Sequence, residues 1–192
     1  YLLSGQLYEG QGDYALAKAE YQAALELAPN SSRAMQGLAT SMEALGENEQ
    51  LETYLNNFNQ QNPNSMNGFA TLAIHYFRVE KAEQAVDILE SKLAEQKKWT
   101  LGYSLLIDYY LRNDKLSEAA NILKKAVDNV DDNIRFSLQL ASIEESRGNY
   151  AEARDLYEGI LAKNNNVDIA ANNLASLLTD RFESPENLNR AL

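Results

Sequence analysis

A chain of 192 residues can bury a sizeable core and is long enough for one domain or two. Its formal net charge of −11 repels phosphate backbones, whose binding rests on Lys and Arg, so no nucleic acid is expected as a partner. Cysteine is absent, which removes disulfides and thiolate metal sites, and no apolar run approaches the ~18 residues of a membrane span, so no direct membrane insertion is expected.

The first predicted helix covers residues 2–11, where Gly5 marks a close approach to the next helix and Tyr8 fills the adjacent space. The stretch Gly12 to Asn30, GDYALAKAEYQAALELAPN, carries the strongest pattern in the chain. Tyr14, Ala17, Tyr21, Ala24 and Leu25 recur at the intervals of one apolar helix face, which predicts a helix over 14–28. Small Ala17 and Ala24 let two helix backbones approach, and the tyrosines fill the space that remains. Pro29 cannot continue the helix and pushes the residue before it out of helical geometry.

The punctuation then returns. Gly46 follows Gly12 and Pro63 follows Pro29, each by 34 positions, and a fixed period of this length is the mark of stacked helix pairs. Repeat two, residues 32–65, predicts helices over 33–45 and 48–61, with Leu38, Ala39, Gly46 and Pro63 keeping the register. Leu51 and Phe58, however, stand where repeat one has Ala17 and Ala24. The second helix, NEQLETYLNNFNQQNP, is rich in Asn and Gln, which compete for backbone hydrogen bonds. It is expected to form on Leu51, Tyr54, Leu55 and Phe58, with looser or shifted packing.

Repeat three, 66–99, predicts helices over 67–79 and 82–96. Phe69, Leu72, Ala73 and Tyr76 face the core on one, and Ala82, Ala85, Val86 and Leu89 on the other, while Glu80 replaces the turn glycine. Repeat four, 100–133, predicts helices over 101–112 and 116–129, on Tyr103, Leu106, Tyr110, Leu116, Ala119, Leu123 and Ala126. Repeat five, 134–167, predicts helices over 135–147 and 150–163 and restores Leu140, Ala141, Gly148, Tyr150, Ala153 and Tyr157. A sixth repeat opens over 168–180 with Leu174, Ala175 and Leu178 in register. RFESPEN then lengthens the turn, Ser184 reads as an N-cap, and Pro185 starts a helix that includes Leu188, Ala191 and Leu192.

These in-phase positions resemble the tetratricopeptide repeat over nearly the whole chain. The resemblance implies an all-α fold, a right-handed superhelical solenoid of antiparallel helix pairs. One array is expected over 1–192, with repeats at about 1–31, 32–65, 66–99, 100–133 and 134–167 and a partial one at 168–192. Tyr1 falls at the fourth position of a repeat and Leu192 inside a second helix, so a fragment of a longer protein is expected. ANNLASLLTD followed by SPENLNRAL is similar to a variant in bacterial envelope tetratricopeptide proteins, including lipoproteins of exopolysaccharide and exosortase systems. That similarity implies the periplasmic side of a bacterial envelope, with the cytoplasm as the alternative.

No catalytic constellation is assembled. His75 is the single histidine, and without cysteine or a second histidine it reads as a partly buried structural residue, neither base nor metal ligand. DNVDDN, from Asp128 to Asn133, lacks the alternating ligands and glycine of a calcium loop and reads as a polar inter-repeat turn. Asn164, Asn165 and Asn166 read the same way. No glycine-rich phosphate loop appears, so no enzyme, cofactor or metal is expected.

What the resemblance leaves is the concave groove, lined by the first helix of each pair. Carried over by position, repeat two offers Arg33, Gln36, Thr40 and Glu43, repeat three Asn67, Ala70, Thr71, Ile74, Phe77 and Arg78. Repeat four offers Leu101, Ser104, Leu105, Asp108, Leu111 and Arg112, and repeat five Arg135, Leu138, Gln139, Ser142 and Glu145. At the first position of the family's carboxylate clamp stand Leu2, Gln36, Ala70 and Ser104, none cationic, so a chaperone tail is not the expected ligand. Ala70, Ile74 and Phe77, with Leu101, Leu105 and Leu111, form an apolar stripe that predicts a partner surface. Arg78 and Arg112, one period apart, are expected at its rim to select an acidic residue, with Asp108 beside them. The competing expectation is that Leu101 and Leu105 are covered by the neighbouring helix and Phe77 packs on Arg78. The expected function is a non-catalytic scaffold that binds a peptide or helix of a protein partner. The alternative is a spacer solenoid within a larger envelope assembly or a multidomain enzyme. Self-association through open end repeats is a further expectation.

Overall fold

The computed structural model describes residues 1–182. They form eleven α-helices joined by short turns and, among these described residues, no strand. Short connections make consecutive helices antiparallel, so the chain builds up as helix pairs. Every helix predicted within the described residues is present, each end within one residue of its expected position. The helix expected after Pro185 lies outside the described residues.

The first compact unit spans Tyr1–Glu95. It contains α1 (Leu2–Gln11), α2 (Tyr14–Leu27), α3 (Ser32–Ala44), α4 (Asn48–Gln61), α5 (Met66–Arg78) and α6 (Ala82–Glu95). The second begins at Gln96 and contains α7 (Thr100–Arg112), α8 (Leu116–Asn129), α9 (Ile134–Ser146), α10 (Tyr150–Lys163) and α11 (Asp168–Arg181).

The turn inside each pair depends on one left-handed residue. Gly12, Gly46, Glu80, Asp114 and Gly148 have φ of 81°, 76°, 60°, 57° and 80°, and successive members are one period apart. Glycine reaches this region without a Cβ penalty, whereas Glu80 and Asp114 occupy it against the preference of an L side chain.

Small residues then set the helix spacing. Ala17, Ala85, Ala119 and Ala153 are all fully buried at the same repeat position, where α4 carries Leu51, also fully buried. The α3 and α4 backbones approach each other over a shorter length than those of the other pairs, as expected for a leucine where the array uses alanine. α4 also buries Asn59, whose side-chain amide has no hydrogen-bond partner within the described protein. In the first repeat the space beside Gly5 is filled by Tyr21, and the expected filler, Tyr8, is half-buried. A Cβ on Gly5 would lie 2.8 Å from the Tyr21 ring and one on Gly37 would lie 2.3 Å from it. Tyr21 is thus held between α1 and α3 because both helices lack a side chain there.

Candidate functional site

The nine stripe and rim residues divide between the two units. In the first, Ala70 is 2% exposed and covered, so it offers no free surface, while Ile74 and Phe77 are half-buried. Arg78 donates from Nη1 to the Glu43 Oε2 carboxylate at 2.7 Å. In the second, Leu101 is 40% exposed, and Leu105 and Leu111 are half-buried. Arg112 pairs with Asp108 at 3.0 Å, one helical turn earlier. Each arginine expected to await an acidic partner already holds a carboxylate of its own unit.

A cavity of about 310 Å³ opens on the α1, α3 and α5 face of the first unit. Arg33, Gln36, Thr40, Glu43, Thr71, Ile74 and Arg78 line it, all of them groove positions carried over from the repeat pattern. Gly37 and Ala39, together with Gln6, Glu9 and Tyr21, which sequence reasoning passed over as groove residues, complete it. The missing side chain of Gly37 leaves room for the Tyr21 ring, which fills that space under the cavity and is 1% exposed. The Tyr21 hydroxyl donates to Glu9 Oε2. Burial first, and then the Glu9 hydrogen bond and charge, push the Tyr21 pKa far above the ordinary tyrosine value, so the donor keeps its proton.

The carboxylates of this cavity differ in compensation. Glu43 takes Arg78 on one oxygen and His75 Nδ1 on the other, each at 2.7 Å. His75 is 1% exposed, more buried than expected, and its Nε2, without a hydrogen bond among the described residues, lies 3.6 Å from Glu52 Oε1. Lys81 in turn pairs with Glu52 at 2.5 Å. This network ties α3, α4 and α5 together, a structural role as expected for His75. Glu9, by contrast, has no cation within ion-pair distance among the described residues.

A second cavity of about 410 Å³ lies in the second unit, against α9, α10 and α11. Ser142, Glu145, Tyr157, Asn173, Ser176 and Arg181 contribute to it. Tyr157, fully buried, donates its hydroxyl to Glu145 Oε2 at 3.3 Å and accepts from Asn173 Nδ2 at 3.2 Å. Glu144, next in sequence, points into the core and is held by Arg147 at 3.0 Å and Asn149 at 2.5 Å. Glu145 has no cationic partner among the described residues.

The inter-repeat turn from Asp128 to Asn133 is closed by the protein itself. Asp131 pairs with Lys98 at 2.8 Å, and Asn133 donates to the Val127 carbonyl at 2.6 Å. Among the described residues, no helix is long and apolar enough to cross a membrane.

Repeated helix pairs, one left-handed turn residue per period and alanines at the pair contacts define a helical-repeat array. The tetratricopeptide repeat signature matches residues 1–31 and, separately, residues 110–178. The chain belongs to the tetratricopeptide repeat family. No curated protein matches it. Among solved structures, a thermophilic tetratricopeptide protein of Thermus thermophilus, TTC0263, is 21% identical, over 93% of this chain and 97% of its own, with a TM-score of 0.50. MamA is 20% identical over 83% of this chain and 93% of its own, with a TM-score of 0.54. YrrB, described as a tetratricopeptide protein with an unusual peptide-binding site, is 14% identical over 88% of each chain, with a TM-score of 0.53. At these identities the likeness is one of fold.

Proposed function

We propose that the chain is a non-catalytic scaffold that binds a peptide or helix of a protein partner on the face formed by the first helices of its pairs. The observation that carries this is the cavity on α1, α3 and α5. It combines a volume of about 310 Å³ with converging polar groups, the guanidinium of Arg33 and the partly open carboxylate of Glu9. A buried core has no use for such a concavity, and its size suits one or two side chains of a ligand. The half-buried Ile74 adds apolar area at the same wall, and Phe77 continues that stripe along α5. The identity of YrrB as a peptide binder supports the same reading by fold alone.

A displayed library of random short peptides selected on the chain tests it. Selected peptides should bind the parent chain and lose at least about tenfold in affinity to Gln36→Trp, which places an indole over the cavity from an exposed position. Helicity and melting should stay unchanged. Failure to select any peptide, or selected peptides that bind Gln36→Trp as well as the parent, would overturn the reading.

A further inference from the structure

The two cavities are the same site four repeats apart. Gln6 and Ser142, Glu9 and Glu145, Tyr21 and Tyr157, Gly37 and Asn173, and Thr40 and Ser176 occupy identical repeat positions, and each of these pairs lines both cavities. In the intervening repeats the tyrosine position holds Leu55, Leu89 and Leu123, all fully buried, and the glutamate position holds Glu43, Phe77 and Leu111. Only a tyrosine can span from the second helix of a pair to the groove and deliver a hydroxyl there. Where it is present, a groove carboxylate meets it.

We propose that each cavity receives a basic side chain, lysine or arginine, of the partner, seated on the Glu9 carboxylate in the first unit and on Glu145 in the second. This rests on the scaffold reading above and names the chemistry of its ligand. An ionised carboxylate offers about four acceptor positions, and a single tyrosine hydroxyl occupies one. Tyrosine is neutral, and neither Glu9 nor Glu145 has an ion pair among the described residues, unlike Glu43 with Arg78 or Glu144 with Arg147. Glu9 and Glu145 are half-buried, where an ion pair with a ligand is screened less than on open surface. The first cavity also holds Arg33 and Arg78, the latter already paired with Glu43, and the second holds Arg181; Arg33 and Arg181 stand at unrelated repeat positions, so the chemistry the cavities share is the carboxylate. The chain's net charge of −11 adds a long-range attraction for a basic partner.

Two measurements test this. The peptides selected as above should carry Lys or Arg, and replacing that residue by norleucine or citrulline should cost at least about tenfold in affinity. If the selected peptides are neutral or acidic yet are still blocked by Gln36→Trp, the scaffold reading stands and the basic-ligand inference falls. Independently of any selected peptide, N-acetyl-lysine-N-methylamide can be titrated into the isotope-labelled chain while amide resonances are followed. Shifts are expected near Glu9 and Gly37 and near Glu145 and Asn173. Glu9→Gln should remove the first set only and Glu145→Gln the second only, since glutamine still accepts from the tyrosine but carries no charge. Equal shifts from the norleucine counterpart, or shifts that survive both glutamine variants, would overturn the inference.

Discussion

Tyr21 crosses from α2 between two side-chain-free positions to donate its hydroxyl to Glu9 on α1. The bond is both a packing device and part of the groove, because the acceptor lies on the cavity wall. Tyr21→Phe should therefore destabilise the chain by about 1–2 kcal/mol, the range for a hydrogen bond to a charged acceptor that is partly open to water. Tyr157→Phe should cost about 1 kcal/mol, since its bond to Glu145 is longer at 3.3 Å. Urea unfolding of both variants decides it; equal stability of the parent and Tyr21→Phe would show that the bond contributes nothing.

Four tyrosines, Tyr21, Tyr54, Tyr103 and Tyr157, are each held above the ordinary value of 10.0, in every case chiefly by burial. The folded chain keeps protons that the unfolded chain releases at pH 10. Their contribution to stability is therefore complete below pH 10 and is lost as pH rises above it. Urea midpoints should be level up to about pH 9 and fall steeply from about pH 10 upward. Phenolate absorbance should show these four of the 11 tyrosines ionising late, with unfolding.

The fold was legible because the period is written in residues that have one physical job. Gly12, Gly46 and Pro63 punctuate, and the alanines at 17, 85, 119 and 153 mark backbone contact. Repetition turned weak local signals into a register, which is why helix ends fell within one residue. The cavities were harder to read. The groove positions Arg33, Gln36, Thr40 and Glu43 followed from the repeat pattern, but Tyr21 belongs to the second helix of its pair and reads in sequence as core. Its role depends on the absent side chain of Gly37, a neighbour one repeat away. The signal was nonetheless present: tyrosine stands in repeats one and five where repeats two to four have leucine, and both of those repeats carry a glutamate at the groove position. Which carboxylates are compensated was not legible, because Glu43 finds His75 and Arg78 across helices, 32 and 35 residues away.

Glu80 and Asp114 sit in left-handed backbone at φ 60° and 57°, at the positions where three other turns use glycine. Replacing either by glycine relieves a conformational cost of roughly 1–2 kcal/mol and adds some unfolded-state entropy, so a net gain of about 0.5–1 kcal/mol is expected. Glu80→Gly should gain more, because aspartate tolerates this region better than glutamate. Thermal melts of the two variants, with Gly12→Ala as the destabilised control, test the order. A loss of stability in Glu80→Gly would mean that the Glu80 side chain makes up for its backbone.

Ala119 and Leu51 occupy the same repeat position, and both are fully buried. Ala119→Leu pushes apart helices spaced for a methyl group and should cost about 1–3 kcal/mol. Leu51→Phe enlarges a contact already spaced for a large side chain, so it should cost less. Equal drops in melting temperature would show that α3 and α4 pack as the other pairs do. Amide exchange gives a second view: α4 should exchange faster than α8, because each repeat is held only by its neighbours.

Asn59 is 6% exposed, and neither polar atom of its side chain finds a partner in the described protein. Burying an amide without a hydrogen bond costs about 1–3 kcal/mol in protein contexts, whereas an apolar group of similar volume at the same place costs nothing of the kind. The neighbouring positions Leu55 and Phe58 are apolar and buried, so the surroundings suit leucine. Asn59→Leu should therefore raise stability by about 1 kcal/mol, with Asn59→Asp as its opposite, placing a charge where none of the described residues offers a partner. Urea unfolding at neutral pH separates the outcomes. If Asn59→Leu is less stable than the parent, the amide has a partner in solution, most simply an ordered water joining both of its atoms, and the loose packing of α4 is a hydrated contact in place of a strained one.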